Sequence, residues 1–242
     1  MFSILKKEFN SFLNSLIAYI VISVFLMGIG LFMWVFPDSN VLDYGFADMS
    51  TLFTMAPYVF LFLIPAITMR SFAEEKKAGT LELLFTQPLS DFQIIVGKYI
   101  ASLLLVIFAL LPTLLYYYTV YQLGSPKGNI DSAGVSGSYI GLVMLAAVFT
   151  AIGIFASAIT ENQIVAFIVA IFLCFIIYTG FSSLSTMAIW GQSADLINAL
   201  GIEYHYQSLS KGLIDSRDMA YFLSVIGAMI ISTQLVLGSR KW

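Results

Sequence analysis

Six long apolar runs constrain this chain more than any other feature. They lie at 16–36, 52–69, 99–121, 139–159, 164–182 and 219–237, and none contains an Asp, Glu, Lys, Arg or His. A helix needs about 20 mostly apolar residues to cross the hydrocarbon core of a bilayer. In lipid it also satisfies its own backbone hydrogen bonds. Strands of a membrane barrel alternate polar and apolar residues over about ten positions, which these continuous runs do not do. The expectation is therefore an all-α, polytopic membrane protein with six transmembrane helices. Composition agrees, with 60% hydrophobic and 10% charged residues, where a soluble domain carries about 25% charged. The balance of 11 Lys+Arg against 14 Asp+Glu excludes a strongly basic nucleic-acid binder, so no nucleic-acid partner is expected. Cys174 is the only cysteine and His205 the only histidine, which excludes an intramolecular disulfide, a CxxC pair and a multi-histidine metal site.

The basic residues set an orientation. Lys6, Lys7, Arg70, Lys76, Lys77, Lys98, Arg240 and Lys241 fall on one side of the six runs, and only Lys127, Lys211 and Arg217 on the other. The excess of Lys and Arg marks the cytoplasmic side, giving an N-in, C-in chain. The first outer segment carries Asp38, Asp43 and Asp48 without a base. The first run is longer than the 7–15 apolar residues of a signal peptide and no small-x-small site follows it, so it is read as retained. Ahead of it, Phe2, Leu5, Phe9 and Phe12 recur at helical spacing while Lys6, Lys7 and Glu8 project elsewhere. That pattern predicts an amphipathic helix over 1–15 lying in the membrane interface against lipid; a plain basic flank of the first span is the alternative. Pro57, Pro65 and Pro112 are expected to kink spans, and Ala147/Ala151 and Gly153/Ser157 to allow close helix packing.

The segment 70–98 between the second and third spans concentrates charge: Arg70, Glu74, Glu75, Lys76, Lys77, Glu82, Asp91 and Lys98. Gly79 is a natural breaker. Thr80 is expected to cap a short amphipathic turn bearing Leu81, Leu83, Leu84 and Phe85, which Pro88 ends. Ser90 and Gln93 match a capping box that starts the next helix. Apolar knobs within a charged rim suit docking to a cytoplasmic partner; a connector resting on lipid headgroups fits the same residues equally well.

The run 74–90, followed by Gly97-Lys98, resembles the signature of ABC-2 type transporter permeases, in which an acidic-basic stretch precedes Gly-Thr-Leu-Glu, then a Pro, then Gly-Lys at the head of the third span. The segment 201–218 resembles the outer loop of the gliding-motility-associated permease subunits of that family. This resemblance implies the membrane half of an ATP-driven exporter in the bacterial inner membrane. It implies a second permease subunit, identical or different, and separate cytoplasmic ABC ATPase subunits that bind ATP and Mg, so that this chain holds no cofactor and no catalytic residue. It implies that 79–88 is the coupling helix, with Glu74, Glu75, Gly79, Thr80, Glu82 and Pro88 as the ATPase-coupling residues. Consistent with that division of labour, no Gly-x-x-x-x-Gly-Lys-Ser/Thr phosphate loop occurs in the chain.

Three other readings are weighed against this one. A secondary transporter would ordinarily place ionisable groups inside its spans, and these spans have none. An intramembrane enzyme would need a base and a nucleophile; His205 and Ser208 have helical spacing, although a structural or solvent-facing histidine is the plainer account. A pure membrane anchor needs no docking surface at 79–88. The outer segment 183–218 carries Trp190, Leu196, Ile197, Leu200, Tyr204 and Tyr206, a pattern that predicts short helices capping the outer mouth. They form a gate, with His205, Gly212, Asp215 and Asp218 maintaining its turns, or a rigid plug.

Overall fold

The computed structural model describes residues 2–43, 45–86, 89–187 and 194–239, and contains helices and no strand among them. The chain opens with α1 (Phe2–Leu13) and α2 (Leu16–Trp34), which meet at 70°. This bend lets an amphipathic helix lie across the direction of an apolar one. α3 (Ser50–Thr68) follows, then the short α4 (Ala73–Lys77) and α5 (Leu81–Phe85). α6 (Asp91–Leu110) passes through a 3₁₀ turn at Pro112 into α7 (Leu114–Leu123). α8 (Ser132–Ile159), α9 (Gln163–Phe175) with a π-helical turn over Ile176–Gly180, and α10 (Phe181–Ser185) come next. The small helices α11 (Ala194–Asn198) and α12 (Ile202–Leu209) lead into α13 (Ser216–Gly238).

Five helical stretches are long and apolar enough to cross a membrane: Ser50–Lys77, Asp91–Leu123, Ser132–Ile159, Gln163–Ser185 and Ser216–Gly238. The bent pair Ile4–Leu13 and Ala18–Trp34, counted as one, makes a sixth. The helix of the third span starts at the expected capping box, ahead of the apolar run that begins at 99. Ser90 Oγ accepts from the Gln93 amide at 3.3 Å and Gln93 Oε1 from the Ser90 amide at 3.2 Å. This capping box satisfies the first free donors and begins the helix at Asp91. Lys98 therefore sits about two turns inside α6 rather than at its head.

α8 is the axis of the bundle. At 1.5 Å per residue its 28 residues span about 42 Å, and it packs against α3, α6, α9, α12 and α13. Within its apolar stretch 78% of residues are buried, against 22% in the stretches containing α9 and α13. Those two helices turn apolar stripes outward, Ile164, Ile168 and Phe172 on α9 and Leu223, Ile231 and Leu235 on α13. Small residues let neighbours approach α8. A Cβ on Gly153 would lie 2.9 Å from Thr68 Cβ, and one on Gly141 would lie 2.7 Å from Leu209 Cβ.

Pro57 has no amide hydrogen and leaves the Phe53 carbonyl, four residues back in α3, without its helical donor. The Tyr206 hydroxyl of α12 donates to that carbonyl at 2.7 Å. A break in one helix is thus filled from the far end of the chain.

Candidate functional site

At the end of the bundle where α1, α4 and α5 meet, the backbone is turned by one glycine. Gly79 takes φ +66°, a conformation that costs a residue with a Cβ about 1 kcal/mol or more. Its amide donates to the Lys76 carbonyl at 3.1 Å and the Thr80 amide to the Glu75 carbonyl at 3.0 Å. These are the paired bonds of a Schellman closure, with glycine just past the helix. The expectation that the Thr80 side chain caps α5 is corrected here. Thr80 has helical backbone angles and makes no side-chain cap. Its hydroxyl instead donates to the Glu75 carbonyl at 3.4 Å, because the preceding closure holds the threonine against α4.

Behind this turn lies a buried charge. The Lys98 side chain is 1% exposed, and its ammonium donates to Glu8 Oε1 at 2.8 Å and to the Ser71 carbonyl at 2.7 Å. It pairs with Glu75 Oε1 at 3.0 Å and lies 5.2 Å from the centre of the Phe72 ring. An ammonium has three donors and no acceptor; three acceptors from α1, the α3–α4 turn and α4 surround this one. Lys7 lies 3.8 Å from the same Glu75 oxygen. Arg70 grips Glu74 with two bonds, at 2.8 and 3.1 Å, and reaches Ser15 at the α1–α2 joint. On the other side, Ser157 Oγ of α8 accepts from the Phe72 and Ala73 amides and donates to the Met69 carbonyl. Lys76 donates to the Ala158 carbonyl at the end of α8, where unpaired carbonyls favour a cation.

The expected coupling residues thus separate into two layers. Glu74 and Glu75 belong to the charged junction. Gly79, Thr80 and Glu82 form an exposed surface with Leu83, which is 65% exposed. Leu81, between them, is buried with Ile4, Phe72, Ile94, Ile95 and Leu237 and fastens α5 to the bundle. Pro88 lies outside the described residues. Sequence reasoning missed Glu8, Ser71 and Ser157 as members of this junction. The available signal was Lys98 itself, a lysine at the start of a long apolar run, whose burial implies a counter-charge.

At the opposite end, His205 does not pair with Ser208. Its Nδ1 lies 2.7 Å from Asp218 Oδ1, its Nε2 lies 2.9 Å from the Ala199 carbonyl, and its ring stacks on Tyr221 at 3.9 Å. Asp215 caps α13 by accepting from the Arg217 amide at 2.9 Å. Gly212, at φ +79°, lies against the backbone of Gly134 and Gly137 on α8. Burial pushes the Tyr206 hydroxyl well above the usual phenol range, which keeps it a proton donor to α3. Trp190 lies outside the described residues.

The family model described as ABC-2 family transporter protein matches residues 2–239. No curated protein matches the chain.

Proposed function

From the premise that the chain belongs to the ABC-2 family of transporter proteins, we propose that it is the permease subunit of an exporter driven by a separate ATPase. In this reading the basic end faces the cytoplasm of a bacterium, with the chain in the inner membrane and both termini inside. The surface at Gly79, Thr80, Glu82 and Leu83 seats on an ABC ATPase subunit, which supplies the ATP and Mg site that this chain does not form. A second permease subunit, identical or different, completes the pathway. From the likeness of 201–218 to gliding-motility permeases we further infer a transporter of that type, with α11 and α12 as the outer gate.

One observation carries this reading. A single buried ammonium, Lys98, joins α1, α4 and α6 directly behind the exposed α5 surface. Leu81 of α5 is buried in one cluster with Ile94 of α6 and Phe72, whose ring lies against that ammonium, so force applied to α5 is passed to the charged junction through packed side chains. A pull-down from native membranes in mild detergent tests the assignment. A soluble subunit carrying a phosphate loop, recovered in near-equal amount, is the expected partner, and its recovery falls sharply for Leu83→Asp while membrane insertion is unchanged. Full recovery with Leu83→Asp, or absence of any ATPase from the wild-type pull-down, removes the coupling assignment.

A further inference from the structure

We propose that the cavity between α12 and the start of α13 holds the headgroup of a zwitterionic phospholipid. The cavity has a volume of about 380 Å³ and is lined by Tyr204, Ser208, Lys211, Leu213, Asp215 and Arg217, among others. That volume falls within the few hundred Å³ typical of small-ligand sites. The far end of the chain has only three basic residues, Lys127, Lys211 and Arg217, and two of them converge on this cavity. Neither has an ion pair or a side-chain hydrogen bond among the described residues. His205 and Asp218 are committed to each other. The side chains of Lys211 and Arg217 and the second carboxylate oxygen of Asp215, whose Oδ1 caps α13, remain to meet a ligand.

The neighbouring residues fix the ligand's depth. Leu213 and Ile214, between the two cations in sequence, are 64% and 52% exposed, and the crossing stretch begins just after them at Ser216. An apolar pair at the mouth of a span sits among acyl chains, while long basic side chains extend to the phosphate level. A phosphate alone would meet the Asp215 carboxylate as well as the cations. A headgroup with an ammonium beside its phosphate matches both signs, so the phosphoethanolamine class fits better than an anionic one.

Native mass spectrometry of the purified full-length chain in detergent tests this, with phosphatidylethanolamine and phosphatidylglycerol of identical acyl chains. The wild type is expected to prefer phosphatidylethanolamine. Lys211→Gln with Arg217→Gln should weaken that binding about tenfold or more, since each exposed cation contributes near the headgroup level. Asp215→Asn keeps the cap of α13, as asparagine caps equally well, and is expected to bring the two lipids to parity. Glycerophosphoethanolamine should compete and inorganic phosphate should not. Equal binding of both lipids to the wild type overturns the headgroup class. Undiminished binding by the double glutamine variant overturns the site. Displacement by inorganic phosphate at concentrations where glycerophosphoethanolamine is without effect makes it a free-anion site instead.

Discussion

Replacing Lys98 by methionine keeps much of the side-chain length and removes the ammonium. Glu8 Oε1, Glu75 Oε1 and the Ser71 carbonyl then lose their common donor. Removing one partner of a buried ion pair costs about 3–5 kcal/mol, because the other charge stays buried and unpaired. Here the Glu8 and Glu75 side chains are 26% and 15% exposed, so water reaches part of each and the lower bound applies, about 3 kcal/mol. For a chain of this size each kcal/mol shifts the melting temperature by about 2–4 °C, which places the expected loss at roughly 6–12 °C. The assay is thermal unfolding of the purified chain in detergent, followed by helical circular dichroism. Adding Glu8→Gln and Glu75→Gln to Lys98→Met should restore part of the loss, since the stranded carboxylates are gone. If the proposed coupling to an ATPase holds, the single variant should also lower transport per ATP hydrolysed. A melting temperature within about 2 °C of wild type would refute the argument, because a lysine of that burial cannot be lost so cheaply unless its partners are hydrated.

Tyr206→Phe removes only the hydroxyl that fills the gap at Pro57; it should destabilise the chain by about 1–3 kcal/mol, and exchange of amides in α12 should accelerate more than in α8. Gly153→Val forces Thr68 away from α8; a cost of about 1–3 kcal/mol is expected for such overpacking, measured by melting, whereas the same change at Gly227, which has open space around it, should cost under about 1 kcal/mol.

The features legible in the sequence are those whose cause is local. The crossing helices follow from runs of apolar residues. The start of α6 follows from Ser90 and Gln93, three residues apart and needing only each other. Gly79 as a breaker is likewise a property of one residue. The pairings that a single sequence leaves open concern groups with a choice of partner. Thr80 had a free helix end ahead of it and a closing helix behind, and the Schellman bonds settled the competition. His205 had Ser208 one turn along, and found Asp218 across a loop instead. Nothing near Lys98 in sequence discloses Glu8 or Ser71, and nothing near Pro57 discloses Tyr206. Those pairings are consequences of how the helices assemble, and a single sequence records the need for a partner without recording its address.

The fastenings of α3 to α8 leave that pair little freedom. Ser157 is bonded to three backbone groups in the chain just beyond α3, Gly153 presses on Thr68, and α12 is bonded to α3 while resting on α8. Two helices held together at both ends and in the middle behave as a stator. In the proposed exporter the working stroke is then expected of the helices around this pair, such as α2, α9 and α13 with their outward apolar flanks. A crosslink between α3 and α8 should therefore be silent, and one that ties α9 or α13 to the stator should stall the cycle.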